Sequence, residues 1–333
     1  MPVFISMGLV ILLFSLYPLV ASIGLQTMSS LDMILIVYFF SGFGSILVGF
    51  FYLWKKKLLK QVINIQKELS FSAYIPAFVC GVSGVLSHAF FIISLSLANK
   101  AGVSLLYESW PIIAVIATPM LMKKAWKEVS LKEVLMSLIA LIGVAIIILT
   151  DANIDFKGSS VDGLNNADND DYSVLGGYIL AFAAAYMTAV LVVTRGTYSE
   201  NFKSLDDDIA SSLVSEIFGR TISMFFMSLA FVYLKDDFYM ADVNWAAAFF
   251  IGFVVFVVGG VLYTYSLLKT DRPTIHIMYY FVPVLAVIWL WVFGESTINL
   301  GLLIGGSIIL AANIYLVIAG RKAEFEEEPS SGL

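Results

Sequence analysis

Residues 110–116 read WPIIAVI and residues 282–288 read VPVLAVI, a match at an offset of 172. Carried back without a gap, the same offset pairs Tyr107 with Tyr279, Ser104 with His276 and Lys100 with Arg272. Four residues of slippage align Gly84-Val85-Leu86 with Gly260-Val261-Leu262, and Gly8 through Tyr17 matches Gly177 through Tyr186. The chain therefore reads as two related halves, and internal repeats constrain a fold more than any single motif.

Each half is built from apolar runs of about 20 residues, the length that spans a hydrocarbon core of roughly 30 Å at helical rise. The runs predict helices over 3–24, 32–53, 73–96, 102–122, 133–150, 174–194, 209–233, 244–267, 275–293 and 299–319. Continuous runs, not alternation, exclude a membrane β-barrel. Hydrophobic residues make up 60% of the 333 and charged residues 13%, about half the share a soluble domain carries. Of the 19 basic residues, fifteen fall in segments 54–72, 123–132, 195–208, 268–274 and beyond 319. Only Lys100, Lys157 and Lys235 fall in the alternate segments, and Arg220 is left inside a span. This bias predicts ten spans with both termini cytoplasmic. Five spans per copy is an odd number, so the second copy enters the membrane from the opposite face. The expected fold is all-α and integral to the membrane, ten helices as two inverted five-helix repeats.

The division follows: 1–150 is the first repeat, 151–172 an extracytoplasmic polar loop, 173–320 the second repeat and 321–333 a disordered cytoplasmic tail. The loop's DGLNNADNDD stretch (162–171) lacks the glycine spacing of a calcium site, so it reads as a solvated linker. Residues 3–24 read as a retained span, not a signal peptide, because no basic segment precedes them.

Ten helices in two halves, the fourth carrying YESWPIIAVIATPM (107–120) and the ninth IMYYFVPVLAVIWLWVFGE (277–295), resemble the drug/metabolite transporter superfamily, specifically its EamA-type exporters. The Trp110-Pro111 pair is most similar to the aromatic amino-acid exporters within it, although Glu108 stands where those usually have an apolar residue. The resemblance implies a secondary transporter in the cell membrane, multi-pass, which moves a small molecule by alternating access and is not an enzyme.

Polar groups at membrane depth are costly, so they are the candidates for function. Ser104, Glu108 and Pro111 recur at i, i+4, i+7 and share a helix face; His276, Tyr280 and Pro283 occupy the related face of the ninth helix. Glu108 could partner a substrate cation or carry a proton; the bland alternative is a neutral or helix-bonded carboxyl. His88 and His276 could line the path or merely pack. Tyr17, its repeat mate Tyr186, Tyr107, Trp110, Tyr263 and Tyr279 add aromatic surface suited to cations and planar groups. Glu216 and Arg220, four apart, form an ion pair or a gate. Lys100 and Arg272 begin the fourth and ninth helices as anchors or steering charges. Arg220 is the only base expected in the core, too few for a phosphorylated substrate.

The expected partners are a small polar metabolite, an amino acid or related amine first, with the bilayer, protons and a second copy of the chain. No nucleic acid, cofactor or metal is expected, since there is one cysteine, Cys80, two histidines and no metal-ligand spacing. The absence of a P-loop, HExxH or GxSxG excludes nucleotide hydrolysis and the common intramembrane hydrolases. A quaternary-ammonium or multidrug carrier of the same fold is the nearest alternative, and a channel-like or non-transporting subunit the alternative of a different class.

Overall fold

The computed structural model describes residues 3–114, 131–151, 169–234, 243–269 and 278–327. Among them every regular element is helical: α1 Val3–Leu25, α2 Ser30–Lys55, α3 Leu59–Glu68, α4 Ile75–Leu97, α5 Lys100–Tyr107, α6 Leu131–Asp151, α7 Asn169–Ser199, α8 Asp208–Leu234, α9 over 245–268, α10 Phe281–Val292 and α11 Leu300–Glu327. Six stretches are long and apolar enough to cross a membrane, and three shorter ones, Val134–Thr150, Phe281–Val292 and Leu300–Tyr315, are apolar as well. Large apolar side chains such as Phe51, Trp54, Val232 and Leu300 point outward. A water-facing surface of that kind would aggregate, whereas lipid accepts it.

Where residues are described, the helices follow the sequence expectations to within a few residues apart from interruptions at 108–109 and 280. Residues 115–122 of the fourth expected span and 275–277 of the ninth lie outside the described residues, and three further differences stand. Helix α3 was not expected. Its Leu58, Val62, Ile65 and Leu69 recur at helical spacing, and Val62 buries against a cluster holding Leu53, Tyr198 and Phe202. Helix α7 begins at Asn169, within the expected polar loop, and α11 continues to Glu327, into the segment expected to be a disordered tail. The remainder of the loop, Arg272, His276 and residues 328–333 lie outside the described residues.

Packing relations come in pairs. Helix α4 packs on α7 and α8, while α9 packs on α1 and α2; α5 lies against α7 as α10 lies against α1. The pairs α2 with α8, α5 with α10 and α6 with α11 close the set. Within α9, Phe250–Gly259 is π-helical, a wider winding that α4 does not share.

At the α6–α11 contact, small residues let two backbones meet. A Cβ on Gly143 would lie 2.7 Å from the Gly305 carbonyl oxygen, and one on Gly305 would collide with the Gly143 carbonyl and, at 2.7 Å, with Ile147. A backbone carbonyl cannot step aside as a side chain can, so the close approach needs both glycines. Gly305→Val is expected to destabilise the protein by about 1–3 kcal/mol, lowering its thermal midpoint in detergent. A midpoint equal to that of the parent would show that α6 and α11 do not depend on this contact.

Candidate functional site

Proline fixes where the site forms. Pro111 and Pro283 each lack an N–H, and a proline ring clashes with the carbonyl four residues earlier, here Tyr107 and Tyr279. Helix α5 stops at Tyr107, Glu108 and Ser109 form a turn, and helical winding resumes at Trp110. The second break is at Tyr280, immediately before α10. Glu108 and Tyr280 stand at the repeat offset of 172. The break modifies one expectation: Ser104, Glu108 and Pro111 do not lie on one unbroken helix face, and Ser104 donates its hydroxyl to the Lys100 carbonyl at 2.7 Å.

Around the breaks the structure gathers most of the expected residues. Tyr279 is the centre of one aromatic group, with ring centroids 5.0 Å from Tyr263, 6.5 Å from Trp110 and 6.5 Å from Tyr280. Tyr17, 3% exposed, joins His88, Phe91 and Phe256 in a second group, and Tyr107 lies 4.4 Å from Phe91. Trp110, at the edge of the first aromatic group, stands two residues beyond Glu108 on the same interruption. The Tyr17 hydroxyl is buried and has no hydrogen-bond partner among the described residues. His88 Nδ1 lies 2.8 Å from both the Tyr38 hydroxyl and the Gly84 carbonyl, and Tyr38 also donates to Gly84. Tyr186 is not part of this gathering: it is 42% exposed on α7 although its repeat mate Tyr17 is buried.

Glu108 also opens onto a cavity of about 350 Å³ between α5, α10 and α11, with walls that include Leu105, Val287 and Leu302. Asn313 on α11 lines it, 2% exposed, and its Oδ1 has no hydrogen-bond partner among the described residues. Sequence reasoning missed Asn313. An amide in the last apolar span was the available signal.

A second charged cluster lies on α7 and α8. Glu216 Oε1 accepts from Arg220 Nε at 2.8 Å, the expected pair, and Glu216 Oε2 meets Arg195 Nη1 at 2.5 Å. Arg195 Nη2 donates to Thr264 at 2.9 Å and Ser212 at 3.3 Å. Placing Arg195 in a loop with the cytoplasmic bases is corrected here: it stands on α7, one turn before its end, and reaches inward. The Arg220 guanidinium lies 5.0 Å from the Phe256 ring centroid, within the π-helical stretch.

Acidic side chains tie down both ends of the bundle. Asp207 accepts from the Ala210 amide and from Tyr52, and meets Lys56 at 3.4 Å. At the other end Glu295 accepts from Lys100 at 2.6 Å, Ser22 at 2.5 Å and Gln26 at 2.7 Å, which joins α1, α5 and the turn after α10. Lys100 is thus an ion-pair partner as well as the first residue of its helix.

Residues 175–318 match the model of the EamA-like transporter family. That stretch coincides with the second repeat read from the sequence. No curated protein matches the chain. Among solved structures, one described as "Crystal structure of protein" is similar at a TM-score of 0.55 and 17% identity, over 97% of this chain and 98% of the other. At that identity the likeness shows a shared fold.

Partial burial works to raise the Glu295 carboxyl, and the hydrogen bonds from Lys100, Ser22 and Gln26 with the Lys100 charge overcome it, leaving its pKa below the ordinary carboxylate value. A depressed folded pKa gives stability that is present above the unfolded pKa and lost as pH falls through the folded one. The stability gap between the parent and Glu295→Gln is expected to be full at neutral pH and to close on acidification, read by thermal unfolding in detergent. A gap that stayed constant down to strongly acid pH would remove Glu295 as the titrating tie.

Proposed function

We propose that the chain is a secondary transporter that moves a small polar metabolite, an amino acid or related amine, by alternating access between two inverted five-helix halves. The observation that carries this reading is the pair of helix breaks at Glu108 and Tyr280. Interrupted helices at corresponding positions of two halves leave backbone groups and side chains free for a ligand near the membrane midplane. The corresponding contacts, α4 on α7 and α8 against α9 on α1 and α2, support the same two-fold relation, and the family match over the second half supports transport of small molecules. The bias of basic residues supports ten spans with both ends cytoplasmic, in the cell membrane, with export as the direction the family resemblance favours.

Glu108 is the proposed partner of the substrate's ammonium group and the carrier of a coupled proton, with Tyr17, Tyr107, Trp110, Tyr263, Tyr279, Tyr280, His88 and His276 as walls. One chain supplies both halves, so the mechanism needs no second copy. A second reading, transport of an apolar quaternary ammonium, draws on the cavity of about 350 Å³, where apolar walls surround a carboxylate and the unpartnered Asn313 oxygen. Such a ligand has no N–H to give that oxygen, which favours the amine.

In proteoliposomes, Glu108→Gln is expected to lower amine or amino-acid flux about tenfold or more, the equivalent of roughly 1.4 kcal/mol, and to abolish its dependence on a proton gradient. The protein should still insert and give a normal thermal midpoint. Equal flux and equal pH dependence in parent and variant would remove Glu108 from the mechanism.

A further inference from the structure

The cavity of about 350 Å³ between α5, α10 and α11 has the size of a small-molecule site. Beyond Glu108, Asn313 and Ser307 its walls are aliphatic, and no aromatic ring is among them. It is therefore distinct in chemistry from the aromatic group around Tyr279. Aliphatic walls suit a flexible alkyl chain, whereas planar ligands call for rings to stack on.

The two polar groups stand at different depths. Near the start of the fourth and last spans, Asn99 donates to the Thr297 carbonyl at 3.2 Å and accepts from Ser296 at 2.6 Å. Farther along, a Cβ on Gly306 would lie 2.8 Å from Leu105. Helices α5 and α11 thus run in the same direction, with Leu105 and Gly306 level. Counted from that level, Glu108 is three residues on and Asn313 seven. At helical rise Asn313 lies about 6 Å deeper than Glu108. Its oxygen can only accept, and an amide at membrane depth without a donor is costly. Rotation of the amide about its last side-chain bond turns that oxygen to the cavity.

The rim has the opposite character. Leu303 on α11 is 54% exposed and Ile288 on α10 is 40% exposed. Ser307, one turn from Leu303 on the same face, is exposed as well. All three belong to the apolar stretches Phe281–Val292 and Leu300–Tyr315. Exposed side chains on such stretches meet hydrocarbon, so among the described residues the cavity opens sideways to the bilayer.

We infer that this cavity binds an aliphatic primary amine that enters from the lipid between α10 and α11. Its ammonium lies between Glu108 and Asn313, and its alkyl chain runs along Leu105, Val287 and Leu302. The inference rests on Glu108 as the ammonium partner proposed above and narrows the ligand to one with both a positive charge and an N–H. A quaternary ammonium satisfies the carboxylate and leaves the Asn313 oxygen bare. An alcohol satisfies Asn313 and leaves the carboxylate without a cation.

The test measures saturable binding of radiolabelled n-octylamine to the full chain in lipid nanodiscs, with empty discs subtracted. Unlabelled octylamine should displace it about tenfold more effectively than octyltrimethylammonium or 1-octanol. Asn313→Leu is close to Asn in size and removes only the amide. It should keep the thermal midpoint, weaken octylamine about tenfold and abolish the preference over octyltrimethylammonium. Leu303→Trp narrows the rim on the lipid side, where an added ring is tolerated, and should slow octylamine association. No saturable binding by the parent, or the same affinity and the same preference in Asn313→Leu, overturns the assignment. Flux of Glu108→Gln is read separately. Lost flux in that variant without octylamine binding by the parent would reject the lateral pocket and keep Glu108 in the carrier mechanism. Unchanged flux with Asn313-dependent binding would reject the carrier role of Glu108 and leave the lateral pocket standing.

Discussion

Pro111 and Pro283 each remove one backbone donor and displace one carbonyl inside an apolar span. In water the loss would be made good by solvent, but hydrocarbon offers no such partner. The helix is interrupted beside each of these two prolines, although α1 runs unbroken through Pro18, and Glu108, Trp110, Tyr279 and Tyr280 lie at or next to the interruptions. Without the two breaks, the fourth and ninth spans would be uninterrupted apolar rods with an isolated carboxylate.

Charge is arranged along the bundle in three places with different chemistry. Glu295 at one end and Asp207 at the other are each held by a lysine and hydroxyl or amide donors, so they act as fasteners between helices. The Arg195–Glu216–Arg220 group has one base too many, and Glu108 sits apart among aromatic rings. Each fastener pairs one acid with one base, whereas in the inner group two arginines share the single Glu216 carboxylate. The π-helical stretch of α9 belongs to this arrangement, since Phe256 on it touches Tyr17, His88 and the Arg220 guanidinium.

The positions of the described helices were legible because the apolar runs are long and nearly free of charge, six of them long enough to cross a bilayer and three shorter. The Glu216–Arg220 pair was legible from spacing alone. Arg195 was not, because a base one turn from a helix end looks the same in sequence whether it reaches the headgroups or folds inward to a carboxylate. Helix α3 escaped notice because its polar positions outnumber its apolar ones within a basic segment. Repeat symmetry relates backbones and says nothing of burial, which is why Tyr17 is buried and Tyr186 faces outward. Asn313 needed the three-dimensional structure, because only the packing of α5, α10 and α11 shows that its amide lines a cavity and that its oxygen has no partner among the described residues.

The glycine contact between α6 and α11 bears on how the molecule can move. Gly143 and Gly305 bring two main chains closer than any side chain would permit, and each blocks the space into which the other helix might slide. Ile147 lies against Gly305 and Thr150 against Gly301, so side chains as well as main chain fill the seam. The seam between α6 and α11 is therefore filled to main-chain contact, which leaves these two helices little freedom to move past one another.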